Sequence, residues 1–142
     1  PLAWSSAASD VYKRQTHSNA HSLSPSARNL TDRQLEAIAE SVGIVGLNFH
    51  VGFLNALCDE TADASLDQMI RHLDHLIGIL GEDGVALGSD FDGCVLPSEI
   101  GNAGGLPHLI SAMRASGFGD ILIDKICRDN WLDVMERSLV GL

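Results

Sequence analysis

The chain has 142 residues, 45% of them hydrophobic, and a formal net charge of -10 from 9 Lys and Arg against 19 Asp and Glu. Such a length and apolar content suit one modest domain with a buried core and exclude a disordered chain. The acidity excludes non-specific adhesion to nucleic acid or anionic membrane, since both require clustered cations, and leaves solubility in a cytoplasm as the plainer expectation.

Pro1 to Gln15 shows neither a helical nor a strand period, so residues 1–15 read as a non-native or disordered end and 16–142 as the domain proper. Thr31 with Gln34 predicts a capping box. Leu35, Ile38, Ala39 and Val42 follow at helical spacing, with Gly43 as the expected C-cap. Ile44 to Phe49 is a continuous apolar run suited to a strand covered on both faces. Ser65 and Gln68 repeat the capping box ahead of a stripe from Leu66 to Leu80 that stops at Gly81. Val85 to Leu87 predicts a second strand, which runs into the polar turn Gly88 to Gly93. Three further helical stretches are expected near Leu106–Ser116, Asp120–Cys127 and Asn130–Leu139.

Helix and strand alternating through tight turns is the grammar of a parallel α/β sheet, and too few strands are present to close a barrel. In such folds the polar residues just beyond strand C-termini meet ligand. That rule selects His17, Arg28, His50, Asp90 and Asp92. Taken singly, His17 reads as a solvated histidine, Arg28 as a surface arginine and Asp92 as a turn-ordering carboxylate. A calcium loop at Asp90 and Asp92 is excluded, because Cys94, Val95 and Gly101 stand where oxygen ligands, glycine and glutamate belong. His72 and His75 lie off the apolar stripe and are expected to be exposed or paired with Asp74. His108 reads as structural and Trp131 as core.

Cys58, Cys94 and Cys127 form no CxxC pair and read as buried, reduced thiols rather than a disulfide framework or a thiolate zinc site. No apolar run reaches the length of a membrane span. The beginning lacks the order of a secretory leader, which would have to lie upstream.

Several segments, taken together, resemble the renal or membrane dipeptidase family. Thr16-His17-Ser18-Asn19-Ala20 resembles its SHSNA motif, and Arg28-Asn29-Leu30-Thr31-Asp32 its RNLTD element, at the family's spacing of eleven residues from histidine to arginine. Gly46-Leu47-Asn48-Phe49 is similar to a GVNF strand, Val85 to Gly93 to the GLGSDFDG signature, and Asn130 to Val134 to a GNWLRV ending. The matches keep family order from Thr16 to the C-terminal end. Departures are His21 for Arg, Ser26-Ala27 for a His-Pro pair, and His50 for a frequent Tyr.

The resemblance implies the C-terminal portion of a (β/α)8 TIM barrel of the metal-dependent hydrolase type, incomplete here, with a dipeptide as substrate partner and two zinc ions as cofactor. It implies His17 as a metal ligand, Arg28 and His50 as substrate-binding residues, Arg28 gripping the free carboxylate, and Asp90 as the catalytic acid and base. The family's His-x-Asp pair, bridging glutamate and further histidine have no counterpart upstream of Thr16, so this piece alone is expected to be inactive. Alternatives are another barrel amide or lactone hydrolase, and a non-catalytic piece that only binds or assembles. A homodimer is left open.

Overall fold

Three short parallel strands lie side by side in chain order in the computed structural model, which describes residues 14–140. They are β1 (Arg14–Gln15), β2 (Ile44–Leu47) and β3 (Val85–Leu87). Arg14 lies opposite Ile44, and Val45, Gly46 and Leu47 lie opposite Val85, Ala86 and Leu87. The helices are α1 (Asp32–Glu40), α2 (Val51–Leu54), α3 (Leu66–Leu80), α4 (Leu106–Ala115), α5 (Asp120–Asp124) and α6 (Asn130–Val140). A π turn, Lys125–Asp129, runs α5 into α6. Parallel neighbours joined through α1 and through α3 are the repeating wall unit of a βα barrel, present here as part of one.

Most of the aperiodic end falls outside the described residues. Its last two residues, Arg14 and Gln15, do not belong to a disordered end: they form β1 against β2. The expected strand at Ile44 to Phe49 is shorter, because Asn48 and Phe49 leave the ladder for the turn that carries His50.

Both predicted capping boxes form. Thr31 and Ser65 accept from the backbone N–H of Gln34 and Gln68, whose side chains return to the cap N–H groups. Such reciprocity satisfies donors that a helix start otherwise orphans. Gly81 ends α3 at φ +77, as expected for a glycine stop. The end of α1 differs. Val42, not Gly43, takes the left-handed position at φ +52, while Val42 N–H bonds Ala39 O and Gly43 N–H bonds Ile38 O. A β-branched residue thus occupies the site where glycine is cheapest.

The strands alternate. Val45, Leu47 and Val85 face α1 and α3, where Leu35, Ile38, Met69, Leu73 and Leu76 complete the main core. Ile44 and Ala86 face the other way and meet Val134 and Trp131 of α6. Asn130 also donates to Val85 O and Glu82 O, and Trp131 Nε1 to Leu87 O at 2.9 Å, so side chains cap carbonyls along the outer edge of β3. Trp131 is therefore core packing, as its place in an apolar helix implies.

Three expectations need correction. Cys127 is exposed and Cys58 and Cys94 are half-buried, because the last two sit in loops and the first on the outer side of the π turn; all are free thiols. His72 is not exposed but 1% accessible, since the loop through Ala20 folds over that side of α3. His75 pairs with Asp32 of α1 at 2.8 Å instead of Asp74, its chain neighbour, which points away around the helix. His108 accepts its structural role through a 2.8 Å bond to Glu99 O.

Candidate active site

The C-terminal tips of the three strands meet because two residues there lack side chains. A Cβ on Gly46 or on Gly88 would run into the Thr16 carbonyl oxygen, so only glycine lets the chain after β1 lie across β2 and β3. Ser18 N–H then bonds Gly46 O at 2.9 Å, and Ser18 Oγ donates to Arg28 O at 2.7 Å. His17 and Arg28 are thereby held over the same rim as the turns that carry His50 and Asp90.

Three buried asparagines lock this rim. Asn19 Oδ1 accepts from Asn48 N–H at 2.8 Å, and its Nδ2 donates to Asn48 O and to Phe53 O at 2.9 and 3.2 Å. Asn29 Oδ1 accepts from Asn19 N–H, while its Nδ2 reaches Ser24 O and Phe53 O, both at 2.9 Å. Asn48 Oδ1 accepts from His50 N–H at 2.7 Å and Nδ2 donates to Asp90 Oδ2 at 3.1 Å. A primary amide offers both donors and an acceptor, which suits it to bridging segments with unmatched backbone groups. Each of these asparagines sits inside a family-like motif, yet no spacing marks it as a site residue. The available signal was Asn48, a lone polar residue closing an apolar run, which burial would oblige to find partners.

Asp90 is half-buried at φ +62, a left-handed conformation that aspartate tolerates better than most residues. Gly93 N–H closes the turn on Asp90 O at 3.0 Å, and a Cβ at Gly93 would come within 2.6 Å of Asp90 Oδ1. Asp92, expected to order this turn, is exposed; the backbone of Asp90 does that work instead. Nearby, burial pushes the Cys94 thiol up to about 11, and the negative charge of Asp90 adds to the effect.

The other three candidates differ in exposure. The Arg28 guanidinium is exposed, lies 5.8 Å over the Phe53 ring, and has no carboxylate partner among the described residues. His50 is 8% accessible and packs edge-on against the same Phe53 ring, with centroids 4.6 Å apart. Its Nδ1 accepts from Val95 N–H at 3.2 Å, which leaves the proton on Nε2, 3.4 Å from Glu60 Oε1. Arg28, Phe53, His50, Asn48 and Asp90 therefore form one unbroken series of contacts. His17 is half-buried, with Nδ1 bonded to Thr16 Oγ1 at 2.7 Å and Nε2 without a partner among the described residues.

A cavity of about 640 Å³ lies at the opposite end of the sheet, near Val42, Gly84 and Asn130. Its cations are already neutralised, Lys125 by Asp83 and Glu82 and Arg137 by Asp133, so it lacks the free charge of the tip rim.

The sequence matches the membrane dipeptidase family, peptidase family M19, over residues 14–139. It is 54% identical over 122 residues to a Klebsiella pneumoniae protein from the pqqA 5′ region, covering 86% of this chain and 45% of that one. A crystal structure described as a dipeptidase and metallopeptidase of family M19 superposes with a TM-score of 0.89 at 51% identity, over 91% of this chain and 38% of that one. A Rhodobacter sphaeroides metallopeptidase, solved with a phosphinate mimic of the dipeptide L-Ala-D-Ala, gives 0.88 at 51% identity, over 90% and 36%. The chain thus spans less than half the length of these relatives, and with its motifs, parallel βα wall and matched span together it belongs to the membrane dipeptidase family of metallopeptidases.

Proposed function

We propose that the intact protein hydrolyses dipeptides at a zinc centre and that this rim supplies its substrate-facing half. The observation that carries the reading is the Arg28 guanidinium, which has no carboxylate partner among the described residues and lies on the same rim as the Asp90 carboxyl. A planar fork left open in this way is shaped to grip the free C-terminus of a short peptide. A substrate without that carboxylate would leave Arg28 idle, which favours a dipeptide over a lactone or simple amide. The dipeptide mimic bound by the Rhodobacter relative supports the same class.

In this reading Asp90 delivers a proton to the departing amine, a task for a carboxyl steered into hydrogen-bond reach of the scissile nitrogen. His50 closes the pocket wall through Phe53 and supports the substrate from beneath. His17 offers Nε2 to a metal ion. Among the described residues no group of three or more His, Cys, Asp or Glu converges to hold one. No helix among the described residues is long and apolar enough to cross a membrane.

Arg28→Ala in the intact protein tests the proposal. KM for dipeptides should rise about 10- to 100-fold, the worth of a lost charge-assisted bond, while C-terminally amidated analogues stay as poor as before. Equal losses on both substrates would remove Arg28 from carboxylate recognition.

A further inference from the structure

We propose that Asn48 is a positioning residue that aims the Asp90 carboxyl; the inference deepens the reading of Asp90 as the proton donor and rests on it. Asn48 is fully buried, and every polar atom it has is committed. Its backbone N–H and carbonyl are both held by the Asn19 side-chain amide, at 2.8 and 2.9 Å, which fixes the residue just past the end of β2. Its side chain cannot turn over. Oδ1 accepts the His50 N–H at 2.7 Å, and a flipped amide would set its NH2 against that N–H, donor against donor. Only one face of the amide remains for Asp90, and it is the donating face, 3.1 Å from Oδ2.

The aspartate needs such a hold. Asp90 follows β3 in a left-handed turn where a side chain at position 93 would collide with Oδ1, so glycine there leaves room for the carboxyl while the Asn48 donor holds Oδ2. A carboxyl held at one oxygen by a donor that cannot itself turn points in one direction before substrate arrives, and a misplacement of about 1 Å at such a group can cost about a hundredfold in rate. The same Asn48 amide ties the backbone of His50 into the arrangement, so the acid and the pocket wall share a single pivot.

The test uses the intact protein and four variants: Asn48→Ala, Asn48→Asp, Asp90→Asn, and Asp90→Asn combined with Asn48→Ala. Asn48→Ala should lower kcat about 10- to 100-fold with KM and bound zinc within about twofold of the parent. Asn48→Asp keeps the shape and the acceptor for His50 N–H but sets carboxylate against carboxylate, and should lose at least as much. Because Asn48 acts through Asp90, adding Asn48→Ala to Asp90→Asn should cause little further loss, whereas a merely structural asparagine would multiply the two defects. Wild-type kcat in Asn48→Ala, or multiplied losses in the double variant, overturns the proposal while leaving Asp90 as the acid. Should Asn48→Ala fail to fold, Asn48→Asp decides alone, and full turnover there overturns it. Full turnover in Asp90→Asn would instead remove the reading of Asp90 and this inference with it.

Discussion

Behind the sheet, α1 and α3 press Leu35, Leu73 and Leu76 onto Val45, Leu47 and Val85, whereas the buried side chains at the strand tips include Asn19, Asn29 and Asn48. The first region is held by removal of apolar surface from water, which is strong and tolerant of direction. The second is held by hydrogen bonds, each worth only about 0.5–1.5 kcal/mol net but costly to leave unmade and demanding in angle. The contrast separates two tasks within one small sheet. The outer face keeps the wall folded; the tips use a rigid polar frame to fix where Arg28, His50 and Asp90 sit.

The largest effect should come from exchanging the two losses. Asp90→Asn in the intact protein is expected to lower turnover about 10²- to 10⁴-fold while leaving unfolding free energy nearly unchanged, since asparagine accepts the left-handed turn and can still receive the Asn48 donor. Leu73→Ala should do the reverse. Leu73 is fully buried in the main core, and its truncation should cost about 2–5 kcal/mol by urea unfolding with kcat preserved below the melting range. If Leu73→Ala instead abolished kcat in a fully folded protein, the division between wall and tips would be wrong.

His72 sits on the boundary between the regions, and acid should find it. It projects from α3, accepts the Ala20 N–H at Nδ1 (3.2 Å) and lies 3.1 Å from Leu54 O through Nε2, which ties the helix to the loop that carries His17 and Asn19. Burial pushes its pKa down to about 4, outweighing the upward pull of the Leu54 carbonyl, with His75 adding a smaller downward push. The folded state therefore binds this proton less readily than the unfolded chain. The stabilisation is complete above the unfolded value near 6.5 and is lost as pH falls from there to about 4, on the order of 3 kcal/mol in all. Unfolding midpoints measured across that window should fall steeply in the parent and more gently in His72→Gln; identical slopes would show that another group is responsible.

How far these features could be read from the sequence depends on the range of the interaction. The two capping boxes, the α3 stripe with its Gly81 stop and the strand at Val85 to Leu87 are set by neighbours within four residues, and they emerge as read. His72 departs from the exposed position expected of it because the stripe on α3 reports only the face toward the sheet, while the loop through Ala20 covers another side from 52 residues away. The asparagine frame was invisible for the same reason, since Asn48 meets partners 29 and 42 residues distant and no local period marks them. The residues His17, Arg28, His50 and Asp90 were legible as strand-end candidates, but their roles came from motif resemblance, not from spacing. The structure adds that they share a rim, through the close approach that Gly46 and Gly88 permit.

The smallest expected effect compares strain at the two ends of the sheet. Asp90 and Val42 both hold positive φ, at +62 and +52, but their surroundings differ. Asp90 receives the Asn48 donor at Oδ2 and the Gly93 N–H at its carbonyl, so its conformation is tied to where its carboxyl points. Val42 is 62% exposed at the end of α1, where its N–H bonds Ala39 O and its carbonyl accepts from Arg137 Nη1 at 3.1 Å. Val42→Gly keeps that carbonyl and the two bonds that end the helix, and removes the steric cost of a β-branched residue in the left-handed region. It should stabilise the protein by about 1 kcal/mol, seen as a rise of a few degrees in the melting temperature, with turnover of the intact protein unchanged. A loss of stability would mean that the valine side chain contributes packing at the base of the sheet that its exposure does not reveal, and that strain at the base is held in place as firmly as strain at the tips.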